Sequence, residues 1–251
     1  MFVARTEKIQ KIAGIFPKRI KELENFFVNN SVVYIDYANV LYWGQKVRWN
    51  IDIKRLKQFL DSFDGIQEIR LYYGTLKGNT GSQNFIKDAK KLKYKVITKP
   101  VKIMRFPIDV SGIPDNSPSI LSKFIDKSLL KLLDIKTVQY FNSYLRELNE
   151  RGVLFVERKK CNFDVEIGRD MLLDFERNDV ESFILWSGDS DFADPVQQLL
   201  KDKKKVIIFA TARRISVELS ETKAPIFDIQ KIRNFICRNS QIQSEVKAGL
   251  K

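Results

Sequence analysis

Ser182-Phe-Ile-Leu-Trp186 is a five-residue run with four large apolar side chains and no charge, and Ser187-Gly-Asp-Ser-Asp191 follows at once. A run too short for a helix and too apolar for a half-exposed strand reads as a strand buried on both faces, the habit of parallel sheets. Ser31-Val-Val-Tyr-Ile-Asp36 has the same character and also ends in an acid, and Ile69–Tyr73, Tyr94–Thr98 and Lys205–Phe209 are further strand candidates. Helical stripes separate them. Asp52 precedes Ile53, Leu56, Leu60 and Phe63, which Gly65 stops; a second stripe spans Ser82–Leu92. Asp164 opens a helix with Ile167, Met171, Leu172 and Phe175, and Asp191 opens one to about Lys201. Strand–helix alternation implies right-handed βαβ units. The expected fold is α/β, a three-layer α/β/α arrangement around a central, mostly parallel sheet.

The ends and the middle depart from this rhythm. Ile9, Ile12, Phe16, Ile20, Leu23 and Phe27 form one apolar stripe, broken near Gly14 and restarted by Pro17. This predicts a helical arm over 1–30, packed on the domain or serving as a dimerising contact. Residues 100–118 carry four prolines and read as irregular. Two helical patterns over about 119–151, one with Phe124, Leu129, Leu132 and Leu133 and one with Val138, Phe141, Leu145 and Leu148, read as an inserted pair, a lid or specificity element. Val153–Val156 is strand-like. Helix 213–220, a strand at Ile226-Phe227 and helix 229–237 close a domain of 31–237, and 238–251 reads as a polar, frayed tail.

Absent residue types narrow the chemistry. The chain has no histidine, which removes Ser–His–Asp and Cys–His catalysis and every His-ligated metal site. Its two cysteines, Cys161 and Cys237, form no CxxC pair and read as reduced thiols of a cytoplasmic protein. No apolar run reaches membrane-spanning length, and the N-terminus lacks the apolar stretch of a secretory signal. The formal charge of +13 points to a polyanionic partner.

In open α/β sheets ligands bind beyond the carboxyl ends of the strands. Asp36, Asp189 and Asp191 sit at such ends, and Asp164 starts a helix expected at the same edge. Taken singly, each has a plain structural role as a strand end or helix cap. Four converging carboxylates repel one another without a cation, and their oxygens are the hard ligands that Mg²⁺ or Mn²⁺ prefers. In a basic protein the set suggests metal-assisted chemistry on a phosphate ester.

Val33-Tyr-Ile-Asp36-Tyr-Ala-Asn39 resembles the first motif of the NYN domain family, the LabA-like and PIN-related ribonucleases. Tyr72-Tyr-Gly-Thr75 and Thr98-Lys-Pro100 are similar to its second and third strand ends. Lys160-Cys-Asn-Phe-Asp164 with Asp170 six residues on resembles its acidic helix, though Asn162-Phe163 replace the usual Gly. Ser187-Gly-Asp-Ser-Asp-Phe192 is the most specific match, and the order of motifs is kept over about 31–237. The resemblance implies a metal-dependent ribonuclease. Asp36, Asp164, Asp189 and Asp191 would hold one or two Mg²⁺ or Mn²⁺ ions, and Asn39, Ser187 and Ser190 would orient ligands or the scissile phosphate. Asp170 lies about 240° around the helix from Asp164, so it is read as a supporting or structural acid.

Lys99 and Lys102 follow a strand end and are placed to touch phosphates, and Tyr42-Trp43, read as a loop beside Asp36, could stack unpaired bases. The lysine clusters at 87–95, 158–160 and 201–205 read first as solvated faces. The expected partner is single-stranded RNA, with DNA left open, no membrane, and a homo-oligomer contact offered by the arm or the helical pair. Two other readings stand beside the nuclease. One is a non-catalytic RNA- or protein-binding module on the same fold. The other is a haloacid-dehalogenase-like phosphatase, suggested by Gly188-Asp189 with Asp194 but lacking the Asp-x-Asp of that class on the first strand.

Overall fold

The computed structural model describes residues 1–28, 30–177, 179–211 and 215–250. The chain divides into two compact units, Met1–Pro100 with Asn162–Lys251, and Val101–Cys161.

The first unit is built on six parallel strands: β1 (Ser31–Asp36), β2 (Ile66–Thr75), β3 (Lys95–Pro100), β6 (Ser182–Trp186), β7 (Lys205–Ala210) and β8 (Ile226–Asp228). Strands β4 (Lys102–Pro107) and β5 (Phe155–Lys160) belong to the other unit. The sheet order is β3-β2-β1-β6-β7-β8, so the chain winds outward one way from β1 and the other way from β6. The order reverses between β1 and β6, and there the flanking loops part to leave a crevice. Both strands are buried along their whole length, which is why they read as continuous apolar runs. Helices cover the two faces, giving the expected three-layer α/β/α fold with a parallel centre.

Strand alternation sorts the side chains. On one face a file of rings runs from Trp43 over Trp186, Phe209 and Phe27 to Phe63, with Trp186 and Phe209 stacked 5.2 Å apart. This face is covered by α3 (Tyr37–Val47), α4 (Ile53–Leu60) and the arm, α1 (Glu7–Ile15) and α2 (Pro17–Phe26). Thr6 caps α1, Pro17 opens α2, and Ile12, Leu23 and Phe27 are buried, so the arm is part of this core. Gly65 ends the turn after α4 where a Cβ would strike the carbonyls of Phe27 and Val28.

On the opposite face Tyr34, Arg70 and Tyr72 point toward α8 (Asp164–Glu176). Asp174 receives Tyr34 Oη at 2.5 Å and both terminal nitrogens of Arg70 at 2.8–2.9 Å, and Tyr72 Oη donates to Asp170 at 2.9 Å. Burial and the neighbouring Asp174 push the Tyr34 phenol far above its ordinary value. These bonds fix the rotation of α8 on the sheet and leave its first residue, Asp164, at the carboxyl edge.

The remaining elements of this unit are α5 (Thr80–Lys91), α9 (Ala193–Lys201), α10 (Val217–Glu221), α11 (Arg233–Ile236) and α12 (Ser244–Ala248). The expected helix over 213–220 is seen only as α10, and 212–214 lie outside the described residues. Helix 229–237 is a 3-10 turn followed by the single turn of α11. The stretch 238–251, expected to fray, instead folds back. Gln243 exchanges two hydrogen bonds with Asn234, and Ile242 and Val246 are buried. Two apolar residues spaced by four on a polar background supplied the anchor.

The second unit holds α6 (Lys127–Leu130), α7 (Ile135–Glu150), and an antiparallel pair, β4 (Lys102–Pro107) with β5 (Phe155–Lys160). It is wider than the expected insertion 119–151. The first of the two expected helices is only a 3-10 turn and the single turn of α6, so no long helical pair forms. The loop 108–118 is tied to α7 by two asparagines one heptad apart. Asn149 bonds Val110 N and Ile108 O, and the buried Asn142 bonds the carbonyls of Asp115 and Ser117. Among the described residues no helix is long and apolar enough to cross a membrane.

Candidate functional site

Parallel register brings the acids together. Ile35 pairs with Trp186, so the next residue on each strand, Asp36 and Ser187, emerge side by side at the switch point. Ser187 Oγ donates to Asp36 Oδ2 at 3.4 Å and accepts Asp189 N at 3.3 Å. One buried hydroxyl therefore links the acid of β1 to the loop after β6. Asp36 is 4% exposed, and its other oxygen accepts Asn39 N and caps α3. Asp189 caps a 3-10 turn, Ser190–Phe192, by accepting Asp191 N at 3.3 Å, and Ser190 Oγ donates back to Asp189 at 3.5 Å. Ser216 N donates to Gly188 O at 2.9 Å and closes the loop.

Asp164 joins from α8. Asn162 Nδ2 holds Asp164 Oδ2 at 2.5 Å, while Asp164 Oδ1 is buried with no hydrogen-bond partner. The Asp191 carboxyl lies within hydrogen-bonding reach of Asp164, although Asp191 is itself exposed. Burial, then the charges of Asp164 and Asp189, push the Asp36 carboxyl up to about 6. Asp164 is raised for the same reasons, desolvation first and then Asp189. Asp36 and Asp164 thus resist ionisation first because burial strips them of water and then because neighbouring acids are close.

Several expected site residues have other partners. The segment after Asp36 is helix α3 and not a loop, because the Asp36 carboxylate supplies the N-cap. On that helix Tyr42 is 60% exposed, but Trp43 is buried against Trp186 and its indole N–H donates to Asn39 Oδ1 at 2.9 Å. Trp43 therefore cannot stack a base, and Asn39 is engaged at both its backbone and its side chain. Lys99 Nζ is held by both oxygens of Glu166 at 2.6 Å and lies 4.8 Å from the centre of the Phe163 ring, so its charge is met within the protein. Lys102 is exposed on β4, in the second unit. Asp170, held by Tyr72 and by Arg169 at 2.7 Å, points away from Asp164. Two participants were missed. Asn162 holds Asp164, and Phe163, fully buried against Tyr72, anchors the start of α8. Their signal was the departure itself, since the pair stands where a Gly was expected.

Two concavities border the acids. Asn39, Tyr42, Gly188, Asp189 and Ser216 line one of about 250 Å³. The other, a groove of about 540 Å³ between α8 and α9, is lined by Asp164, Asp191 and Asp194 with Val165, Leu172 and Pro195. Among the described residues no group of three or more acidic or thiol side chains is spaced to hold a metal ion by itself. Mg²⁺, however, takes one or two carboxylates and completes its shell with water and substrate phosphate. The unpartnered Asp164 Oδ1, beside Asp36, Asp189 and Asp191, is an oxygen donor set of that kind.

A parallel sheet of this order with carboxylates at its switch point is a three-layer α/β/α domain with an acidic site at its strand ends. The model of the NYN domain matches residues 112–230, a span that includes Asp164, Asp189 and Asp191 but begins after Asp36. The chain is 24% identical over 224 residues to the low amplitude and bright protein LabA of Synechococcus elongatus, covering 89% of this chain and 96% of that one. Together these matches support membership of the NYN domain family. The crystal structure of a protein of unknown function from Vibrio parahaemolyticus shares the fold, with a TM-score of 0.52 and 16% identity, over 84% of this chain and 98% of that one.

Proposed function

We propose that this protein is a divalent-metal-dependent ribonuclease that hydrolyses phosphodiester bonds of single-stranded RNA in the cytoplasm. The observation that carries the reading is the cluster of Asp36, Asp164, Asp189 and Asp191 at the switch point, with one buried carboxylate oxygen left without a partner. The relation of NYN domains to PIN nucleases supports it.

In this reading Asp36, Asp164 and Asp189, with Asp191 directly or through water, hold Mg²⁺ or Mn²⁺. An ion held there would supply acidified water and positive charge for the phosphate and the leaving 3′ oxygen. The protein's own part is positional. Ser187 holds the Asp36 carboxylate and the Asp189 backbone in one arrangement, so the two acids from different strands move together. Asn162 turns Asp164 so that Oδ1 stays free for the cation. Ser190 steadies Asp189, and Tyr42 offers an exposed ring over the smaller concavity for a base next to the scissile bond. The absence of histidine leaves proton transfer to water and carboxylates.

A second reading is a binding module on the same fold, favoured by the lack, among the described residues, of three acids spaced to hold an ion unaided. One experiment separates them. Labelled single-stranded RNA is incubated with the protein in Mg²⁺, Mn²⁺ or EDTA, beside Asp189→Asn. Cleavage into 5′-phosphate products that needs the metal and Asp189 is expected; binding without cleavage under every condition selects the second reading.

A further inference from the structure

The ribbon β4–β5 is unusual for what it leaves uncovered. Five of its six residues on β4, and all six on β5, are exposed. A two-stranded ribbon exposed on both faces is marginal in water unless something covers it. Residues directly opposite in an antiparallel pair share a face, so the register sorts the side chains. One face carries Lys102 opposite Lys160 and Met104 opposite Arg158. The other carries Arg105 opposite Glu157, an ion pair of 3.2 Å, with Arg105 stacked 4.6 Å over Phe155.

The first face is therefore uncompensated. Lys102 and Lys160 are like charges directly across the ladder, an arrangement that destabilises a sheet. Among the described residues no carboxylate pairs with Lys102, Arg158 or Lys160. The unit 101–161 has eleven Lys and Arg against seven Asp and Glu, and the ribbon alone accounts for that excess, with five cations and one acid. Outside the ribbon the unit is balanced. Three cations at strand spacing, with the exposed Met104 opposite Arg158 and Val156 next beyond it, offer ammonium and guanidinium groups to phosphates and apolar surface to bases.

We infer that the Lys102–Met104–Arg158–Lys160 face of the ribbon is a docking surface for the phosphodiester backbone of single-stranded RNA. The choice of RNA rests on the ribonuclease reading; the surface itself does not. A membrane surface fits less well, because three of the six side chains on this face are cations and leave no continuous apolar surface to insert.

The test measures binding of a labelled oligouridylate in EDTA, where cleavage cannot interfere, over a range of salt. The triple variant Lys102→Gln, Arg158→Gln, Lys160→Gln is compared with Lys87→Gln, Lys90→Gln, Lys201→Gln, which removes the same charge from exposed helix faces of the other unit. The ribbon variant is expected to bind about tenfold or more weakly at low salt, with the log–log salt slope reduced by about 2, since each lost contact to a single strand removes about 0.7. The control changes little, and neither variant melts below the wild-type temperature. Equal losses in both variants, or none in the ribbon variant, overturn the proposal. So does a ribbon variant that binds RNA normally but no longer binds phosphatidylserine vesicles. If the wild type never cleaves RNA yet the ribbon variant loses binding, the ribbon stands and the ribonuclease reading falls.

Discussion

The chain contains two β structures that obey different rules. Every residue of β1 and β6 is buried, whereas every residue of β5 is exposed. The main sheet derives its stability from burial on both faces, and its strand ends, locked in register, can hold charged groups where their repulsion would otherwise drive them apart. The ribbon has little to bury, and its sequence is free to carry charge along its length. Costly chemistry belongs on the first kind of scaffold, and adaptable electrostatic contact on the second.

Substitutions can break this contrast. The largest effect is on activity. Asp189→Asn is expected to reduce RNA cleavage by about three orders of magnitude, roughly 4 kcal/mol of transition-state stabilisation. Arg158→Gln should leave the single-turnover rate at saturating RNA unchanged. Wild-type cleavage by Asp189→Asn would remove the acids from the chemistry.

Next come the ion pairs. Asp174→Ala leaves the buried Arg70 with Glu68 as its one remaining carboxylate partner and Tyr34 Oη without its acceptor, and should cost about 3 kcal/mol in denaturant melts. Glu157→Ala breaks the exposed pair with Arg105 and should cost less than about 1 kcal/mol. Replacing both core partners, Arg70→Met with Asp174→Leu, should recover part of the loss, though Tyr34 Oη would still lack its acceptor. Comparable costs at the two pairs would mean that the ribbon is more buried in solution than its exposed side chains imply.

Apolar truncations follow. Leu71→Ala in β2, fully buried, is expected to cost about 2–4 kcal/mol, and Val156→Ala in β5 less than about 0.5 kcal/mol. Calorimetry of both variants checks the ratio.

The last effect, a dependence on pH, lies at the sheet edge. The Asp36 pKa is raised from 3.8 to about 6 by burial and by Asp164 and Asp189. A folded-state pKa above the unfolded one means that the native protein binds the extra proton between those values. The contribution is full below pH 4 and lost as pH rises through 6, on the order of 3 kcal/mol. Metal-free protein should therefore melt at higher temperature at pH 5 than at pH 7.5, apart from other titrations. Asp36→Asn should flatten that difference, and Mg²⁺ should raise the melting temperature at pH 7.5 in the wild type more than in the variant. A variant with the wild-type pH profile would show that the Asp36 charge is not what the fold resists.

How much was legible follows from the same contrast. The buried strands announced themselves because burial on both faces demands apolar residues, and the acids at their ends stood out because they break those apolar runs abruptly. β4 was read as irregular, because Lys102–Pro107 mixes charge, apolar residues and proline and has no face to bury. The stripe at Phe124–Leu133 suggested a helix that the chain does not form beyond one turn. Trp43 and Lys99 were assigned to the substrate from proximity in sequence. Which way a helix rotates is set by packing across the sheet, and that rotation turned Trp43 inward onto Trp186 and gave Lys99 to Glu166.

Sequence by itself determined the layers, the strand ends that carry Asp36 and Asp189, the helix that begins at Asp164, and the overall excess of positive charge. Periodicity and abrupt changes of polarity are local, and a linear chain records them. Tertiary structure alone decided the sheet order that sets β1 beside β6, the register that aligns Asp36 with Ser187, and the shared burial that raises the pKa of the acids. It also decided that Lys102 and Lys160, 58 residues apart, face each other across a ribbon. These are relations between distant segments, fixed by hydrogen-bond ladders and by the exclusion of water, and neither exists until the chain has closed on itself.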